Sequence, residues 1–368
     1  MTVRDIQEII EQWAPPDIAW ERDNVGLQVG SFSDRVQGII VALDVHEHTV
    51  IETRRRRANL IISHHPLLFS PVRSVMTGSR SGRLLQLLLG QGINVYSAHT
   101  NLDFTQGGTS FALARRLQLQ NVSFLHQPYR PLKKIVTFVP AEHVEAVSTA
   151  MTGAGAGTIG KYTHCSFRSE GMGTFLGAEG SKPAIGSSGR LERVPEVRME
   201  MVVPDRHVDS VVRAMRAAHP YEEVAFDVYP MENVSNDYGA GVIGTLKRPM
   251  TLKSFLRHVR QSLGTPFLRF TGNPAIRIST VSACGGSGSD LIDAAIHKGA
   301  DAFVTADVKY HAFQEAEGRI ALVDAGHFET EVPVLQDVAR RLKSEMQKKG
   351  HPVPVHVSRI SKNPVRYA

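Results

Sequence analysis

Apolar residues in this chain recur with two periods, and the switches between them outline a fold. Val3, Ile6, Ile9, Ile10 and Trp13 return at helical spacing. Residues 36–43 form a short apolar run of buried-strand type that ends at Asp44. The pattern then predicts a helix from near His46 to about Ala58, a strand over 60–62, a helix over 81–89 and a strand over 93–96. Short strands alternating with helices imply a largely parallel sheet with both faces covered.

Residues 251–368 repeat that logic. An amphipathic helix over 252–263 precedes a strand over 276–283, a glycine-rich turn at 285–288 and a helix over 290–298. Strands at 302–304 and 320–323 follow, then a last long helix over 329–348. The middle differs. It reads as strand 133–139, helix 141–152, a glycine-rich loop at 153–160, strands near 172–177 and 197–203, helix 205–218 and strand 224–229. That β-α-β-β-α-β order is the ferredoxin-like plan. The fold class expected is therefore α/β: a two-lobed split domain with mainly parallel sheets, interrupted by a ferredoxin-like α+β domain. The boundaries are an N-terminal lobe at 1–129, an insert at 130–235 and a C-terminal lobe at 236–368.

Composition narrows the class without changing that outline. With 368 residues, 42% hydrophobic and 21% charged, the chain is long enough for two or three domains and is neither disordered nor fibrous. No stretch offers eighteen uninterrupted apolar residues, so no membrane span is expected. The first ten residues carry acidic groups at helical spacing, unlike a secretory signal. Cys165 and Cys284 are the only cysteines, which fits a reducing, cytoplasmic setting and excludes a cysteine-built zinc cage. The net charge of +6 permits a nucleic-acid partner without requiring one. Its densest cluster, Arg54 to Arg57, closes a predicted helix, where cations suit the negative end of the macrodipole.

Candidate chemistry gathers where predicted strands end. His64 and His65 closely follow strand 60–62, at the strand end where parallel sheets place their sites. Pro66 keeps His65 extended, so the two imidazoles point different ways and suit two neighbouring metals. Past strand 93–96 come His99 and Asp103, the latter a hard oxygen donor, the former a ligand or a partner that orients one. After strand 320–323, His327 and Glu331 stand four apart and share a helical face. Each cluster alone could be ordinary turn or cap chemistry; three together are far more specific. A nitrogen and oxygen set without thiolate suits two divalent cations, with zinc, manganese or iron the best matches, held about 3.5–4 Å apart. Asp307, Lys309 and His311 follow strand 302–304 and could orient ligands or move protons, or simply cap a helix. The glycine turn at 285–288 could cradle a phosphate or serve as a tight turn.

Several motifs together carry a resemblance. D-N-V-G-L-Q-V-G at 23–30, S-H-H-P at 63–66, H-T-N-L-D at 99–103, C-G-G-S-G-S at 284–289, D-V-K-Y-H at 307–311 and D-A-G-H-F-E-T-E at 324–331 stand in the order of the NIF-three-like family of dinuclear metal proteins. Members are often labelled GTP cyclohydrolase I type 2 homologues. The resemblance implies His64, His65, Asp103, His327 and Glu331 as ligands, with Glu331 bridging and His99 behind them. The middle segment is similar to the PII and CutA-like insert of the longer bacterial members, through Gly153-Ala154-Gly155, Ile159-Gly160, Cys165-Ser166-Phe167 and His219 to Glu223. It also implies a ring-shaped homohexamer. Ala306 stands where the family usually has glycine, and no ligand position departs from the pattern.

Three functions follow as expectations. The first is a metal-dependent hydrolase acting on a nucleotide or related small molecule, with His311, His99 or Asp307 in proton transfer. The second is a metal-handling or regulatory protein without turnover, its insert sensing a ligand. The third is a nucleic-acid-binding ring scaffold.

Overall fold

A computed structural model describes residues 1–127, 131–181, 183–234, 237–360 and 362–366. The chain divides into two compact units, Met1–Pro128 with Asp237–Ala368, and Tyr129–Asn236.

The first unit is an α/β structure on two sheets. In one, Asn94–Ser97, Leu60–Ser63 and Ile39–Ala42 lie parallel side by side. Val355–Val357 adds a parallel edge beside Ile39–Ala42, and Gly26–Val29 an antiparallel one beside Asn94–Ser97. All residues of the three central strands are buried, as expected where both faces are covered. In the second sheet Arg277–Ser287, Ala302–Ala306 and Ala321–Asp324 are parallel. Arg269–Phe270 is antiparallel at one margin, and Ala240–Thr251 followed by Gln120–His126 at the other. The first sheet is thus mainly parallel with one antiparallel edge, while the second is parallel only at its centre and antiparallel at both margins.

The two ends of the chain do not each build a lobe of their own. Helix Thr109–Arg116 packs Phe111, Leu113 and Ala114 with Phe255, Val281 and Val304, in the core of the second sheet. Helix Val334–Lys348 sends Val334, Leu335, Val338, Leu342 and Met346 against Ile39, Val41, Leu60 and Ile62 of the first. At about 1.5–3 kcal/mol for each large apolar side chain buried, that face decides where the helix docks. Periodicity reveals such a face but not the sheet that receives it.

Two local expectations also change. The last long helix is two, His327–Glu331 and Val334–Lys348, separated at Pro333, which has no N–H to continue the first ladder. Strand Arg277–Ser287 runs through the glycines expected to form a turn.

The second unit holds an antiparallel sheet in the order Phe167–Leu176, Leu191–Pro204, Pro131–Pro140, Phe226–Val234. Helices Val144–Gly153 and Val208–Ala218 cover one face through Val147, Met151, Val211 and Met215, packed on Ile135, Val139, Met199 and Met201. Each helix follows a proline and a single 3₁₀ turn, and the local sequences V-P-A-E-H-V-E-A-V and V-P-D-R-H-V-D-S-V repeat one another. Among the described residues no helix is long and apolar enough to cross a membrane.

Candidate metal centre

The strand ends of both sheets of the first unit supply one cluster. His64 and His65 leave strand Leu60–Ser63, and His99 and Asp103 sit at and within the short helix Thr100–Phe104 that follows Asn94–Ser97. Asp307 follows Ala302–Ala306, while His327 and Glu331 open and close the helix after Ala321–Asp324.

Each of the four histidines is gripped from behind through Nδ1. His64 Nδ1 donates to the Ala98 carbonyl at 2.9 Å, and His65 Nδ1 to Asp44 Oδ1 at 2.9 Å. His99 Nδ1 lies 2.9 and 3.0 Å from the two Asp23 oxygens, and His327 Nδ1 is 2.7 Å from Asp307 Oδ2. These partners are carbonyl or carboxylate acceptors, so Nδ1 carries the ring proton and the neutral ring keeps a lone pair on Nε2. Ligating histidines are oriented in this way.

The lone pairs converge on acids. His64 Nε2 is 3.6 Å from both Asp103 Oδ1 and Glu331 Oε1, while Glu331 Oε2 is 2.9 Å from His65 Nε2 and 3.1 Å from His327 Nε2. Yet His64 Nε2, Asp103 Oδ1 and Glu331 Oε2 are buried without a hydrogen-bond partner: the approaches are close but not aligned as hydrogen bonds. His65 Nε2 and His327 Nε2 stand only 3.2 Å apart, a distance that two lone pairs tolerate only with positive charge between or beside them. One ligand atom each from His64, His65 and His99 lies within 4.8 Å of the others, and so does one each from His65, His327 and Glu331.

Electrostatics follows the geometry. For His65 burial is the largest influence and disfavours the cation, but Asp44 and Glu331 overcome it and push the pKa up to about 10. Glu331, aided by Asp307, raises His327 to about 9 against burial. Burial would raise Glu331, but His64, His327 and His65 hold it well below the ordinary carboxylate range. Asp23 behaves likewise, brought down to about 2 by His99 and Thr100 against burial. Metal-free, the cluster collects protons; a divalent cation would displace them. Burial pushes the neighbouring Cys284 thiol up to about 12, and among the described residues the clustered donors are histidines and Glu331, with no cysteine.

Gly286 makes the carboxylate position possible. A Cβ there would meet Glu331 Oε1 at 2.2 Å, and its φ of +64° suits glycine. Its N–H donates to Thr330 Oγ1 at 3.0 Å, tying the strand to the helix that carries Glu331.

The structure thus gathers His64, His65, His99, Asp103, His327 and Glu331, with Asp307 against His327. It does not draw in His311, which is exposed on helix Tyr310–Ala316 beside Gln314 and Tyr310. Asp44 and Asp23 were missed as orienting residues. Asp44 carried a signal: it ends strand Ile39–Ala42 much as His64 ends its own. Arg54 to Arg57 lie exposed where helix Glu47–Arg55 ends.

Comparison with known proteins decides the family. Residues 1–364 match the Duf34/NIF3 (NGG1p interacting factor 3) family. The chain belongs to it. It is 39% identical over 366 residues to the GTP cyclohydrolase 1 type 2 homolog of Bacillus subtilis, covering 99% of this chain and 98% of that one. The homolog of the same name from Mycobacterium tuberculosis is 38% identical over 373 residues, covering 99% of this chain and 97% of that one. Among solved structures, a Bacillus cereus protein related to NIF3 superimposes with a TM-score of 0.89 at 39% identity, covering 100% of this chain and 99% of that one. Staphylococcus aureus protein SA1388 gives 0.81 at 28% identity, with 100% and 99% covered.

Proposed function

We propose that the first unit is a dinuclear divalent-metal site and that this Duf34/NIF3 protein is a metal-dependent hydrolase. The observation that carries the reading is the set of Nδ1-anchored histidines, of which His64, His65 and His327 face buried Asp103 and Glu331 oxygens that lack hydrogen-bond partners while His99 lies beside His64 and His65. His64, His65, Asp103, His327 and Glu331 would hold zinc, manganese or iron, none of which needs a thiolate. Glu331 suits a bridging role, because Oε1 faces His64 while Oε2 faces His65 and His327. When bound, the cations supply an acidified water and polarise the centre it attacks.

The remaining residues position and move protons. Asp44, Asp23 and Asp307 fix three imidazoles with Nε2 inward. His99 reaches the cluster as a further ligand or as a proton carrier. His311, solvent-exposed, would exchange protons with bulk water. A nucleotide is the first substrate class to test, since relatives carry a cyclohydrolase name. The antiparallel order of the inserted sheet supports the ferredoxin-like, PII-like reading of residues 130–235, which interrupt one unit built jointly by segments 1–129 and 236–368. We extend the reading to a cytoplasmic homohexamer on the strength of the family resemblance.

Anaerobic purification with elemental analysis, then a nucleotide and phosphoester screen on wild type and His64→Ala, tests the proposal. Two cations per chain and turnover lost in the variant are expected. Exchangeable metal with no turnover in wild type would favour metal handling instead, and a metal-free protein under all loading conditions would overturn both.

A further inference from the structure

One face of the inserted sheet is covered by its two helices; the other carries a half-open cavity of about 680 Å³, a size that takes a small organic molecule. Register places Phe138 opposite Arg198, Ser169 opposite Arg198, and Gly171 opposite Glu196 on this side of the sheet. Phe175 and Tyr221 stand over it with ring centroids 6.4 Å apart.

Three features are those of a built site. First, the Tyr221 hydroxyl is shielded from solvent and makes no well-aligned hydrogen bond, but it interacts with the neighbouring Glu196 carboxylate. Second, Gly173 is the reason the Glu196 carboxylate lies where it does, because a Cβ at that position would meet Glu196 Oε2 at 2.0 Å. Third, the charge is one-sided. Glu196, Glu222 and Glu223 line the space, while the one guanidinium among the described lining residues, Arg198, is engaged by Glu200 at 2.9 Å. Aromatic faces beside an excess of carboxylate favour a cation with an apolar body, through both charge and ring quadrupole.

We propose that this cavity binds a small organic ammonium compound, its apolar body against Phe138, Phe175 and Tyr221 and its cationic head at Glu196, with the Tyr221 hydroxyl donating to an acceptor on the same ligand. The site lies wholly within the inserted unit, and it does not depend on the metal reading.

The test uses the full chain and three probes observed by NMR and calorimetry: phenethylamine as the cation, phenylacetate as the anion and benzyl alcohol as the neutral body. Saturable binding of phenethylamine, with benzyl alcohol weaker and phenylacetate undetectable, is expected. Glu196→Gln, isosteric and away from the core, should weaken the amine about tenfold or more, the scale of a lost charge-assisted hydrogen bond. Gly173→Val, which displaces the carboxylate, should do the same without removing it. Circular dichroism and melting confirm that each variant is folded. No saturable amine binding to wild type overturns the proposal, as does preference for phenylacetate or equal amine affinity in wild type and folded Glu196→Gln.

Discussion

In the first unit polar atoms converge and each imidazole is held from behind by a second residue; in the inserted unit aromatic faces and carboxylates border a half-open space. His65 has Asp44 behind it and Glu331 before it, so both ring nitrogens are assigned. Tyr221 has a hydroxyl beside Glu196 without a well-aligned hydrogen bond, on a half-buried ring. A convergent set of charges needs a partner of opposite sign and fixed geometry, which a metal supplies. An apolar cavity with one carboxylate edge asks only for complementary size and charge, and tolerates a wider range of occupants. The first kind of site is set by orientation, the second by volume.

The contrast can be broken most sharply at Glu331. Glu331→Gln should reduce metal affinity by more than about 100-fold, beyond the usual cost of losing an orienting group. Elemental analysis after dialysis checks it, and retained full metal content would count against the bridging assignment. The insert's amine binding should be untouched by the same change.

Next in size are the orienting acids. Asp44→Asn and Asp307→Asn should each cost about 10–100-fold in metal affinity, since the histidines remain but lose their fixed tautomer. Competition with a fluorescent chelator measures this. Loss equal to that of Glu331→Gln would mean the acids bind metal directly.

The insert carries a smaller, pH-dependent effect. His219 Nε2 donates to the Phe138 carbonyl at 3.0 Å and its Nδ1 accepts from the Tyr221 N–H at 3.1 Å, so the fold uses the neutral ring. Burial holds its pKa below the ordinary 6.5. The unfolded chain therefore binds the proton first. The stabilisation is complete above pH 6.5 and is lost as pH falls from there through the folded value, with a slope of at most about 1.4 kcal/mol per pH unit. Melting curves of wild type and His219→Gln between pH 8 and 5 should diverge below 6.5; parallel curves would show that the ring does not titrate on unfolding.

The smallest effect is expected at Arg54 to Arg57. Replacing all four by Gln should leave metal content unchanged and DNA binding no more salt-sensitive than before. A collapse of DNA affinity would revive the nucleic-acid scaffold and give the helix end a role beyond complementing its dipole.

The histidine and carboxylate cluster was legible because polar residues that follow parallel strands declare themselves by position: His64 after 60–62, His327 after 320–323. Asp23 was not legible as an orienting residue, because it lies in an irregular segment 76 residues from His99 and meets it only through the fold. The glycines at 285 and 286 were read as a turn, since local sequence cannot distinguish a turn from a strand cleared to admit a carboxylate.

Hydrophobic period and strand-end chemistry, both local properties, determined the α/β class, the interruption by a β-α-β-β-α-β segment and the identity of the clustered histidines. Tertiary structure alone decided that helix Val334–Lys348 and strand Val355–Val357 complete the first sheet while helix Thr109–Arg116 and strand Gln120–His126 complete the second. An apolar face will bury against any complementary surface, and only the competition among surfaces in the folded chain selects one. The same packing brings His65 and His327, 262 residues apart, to 3.2 Å, a proximity that no local pattern encodes.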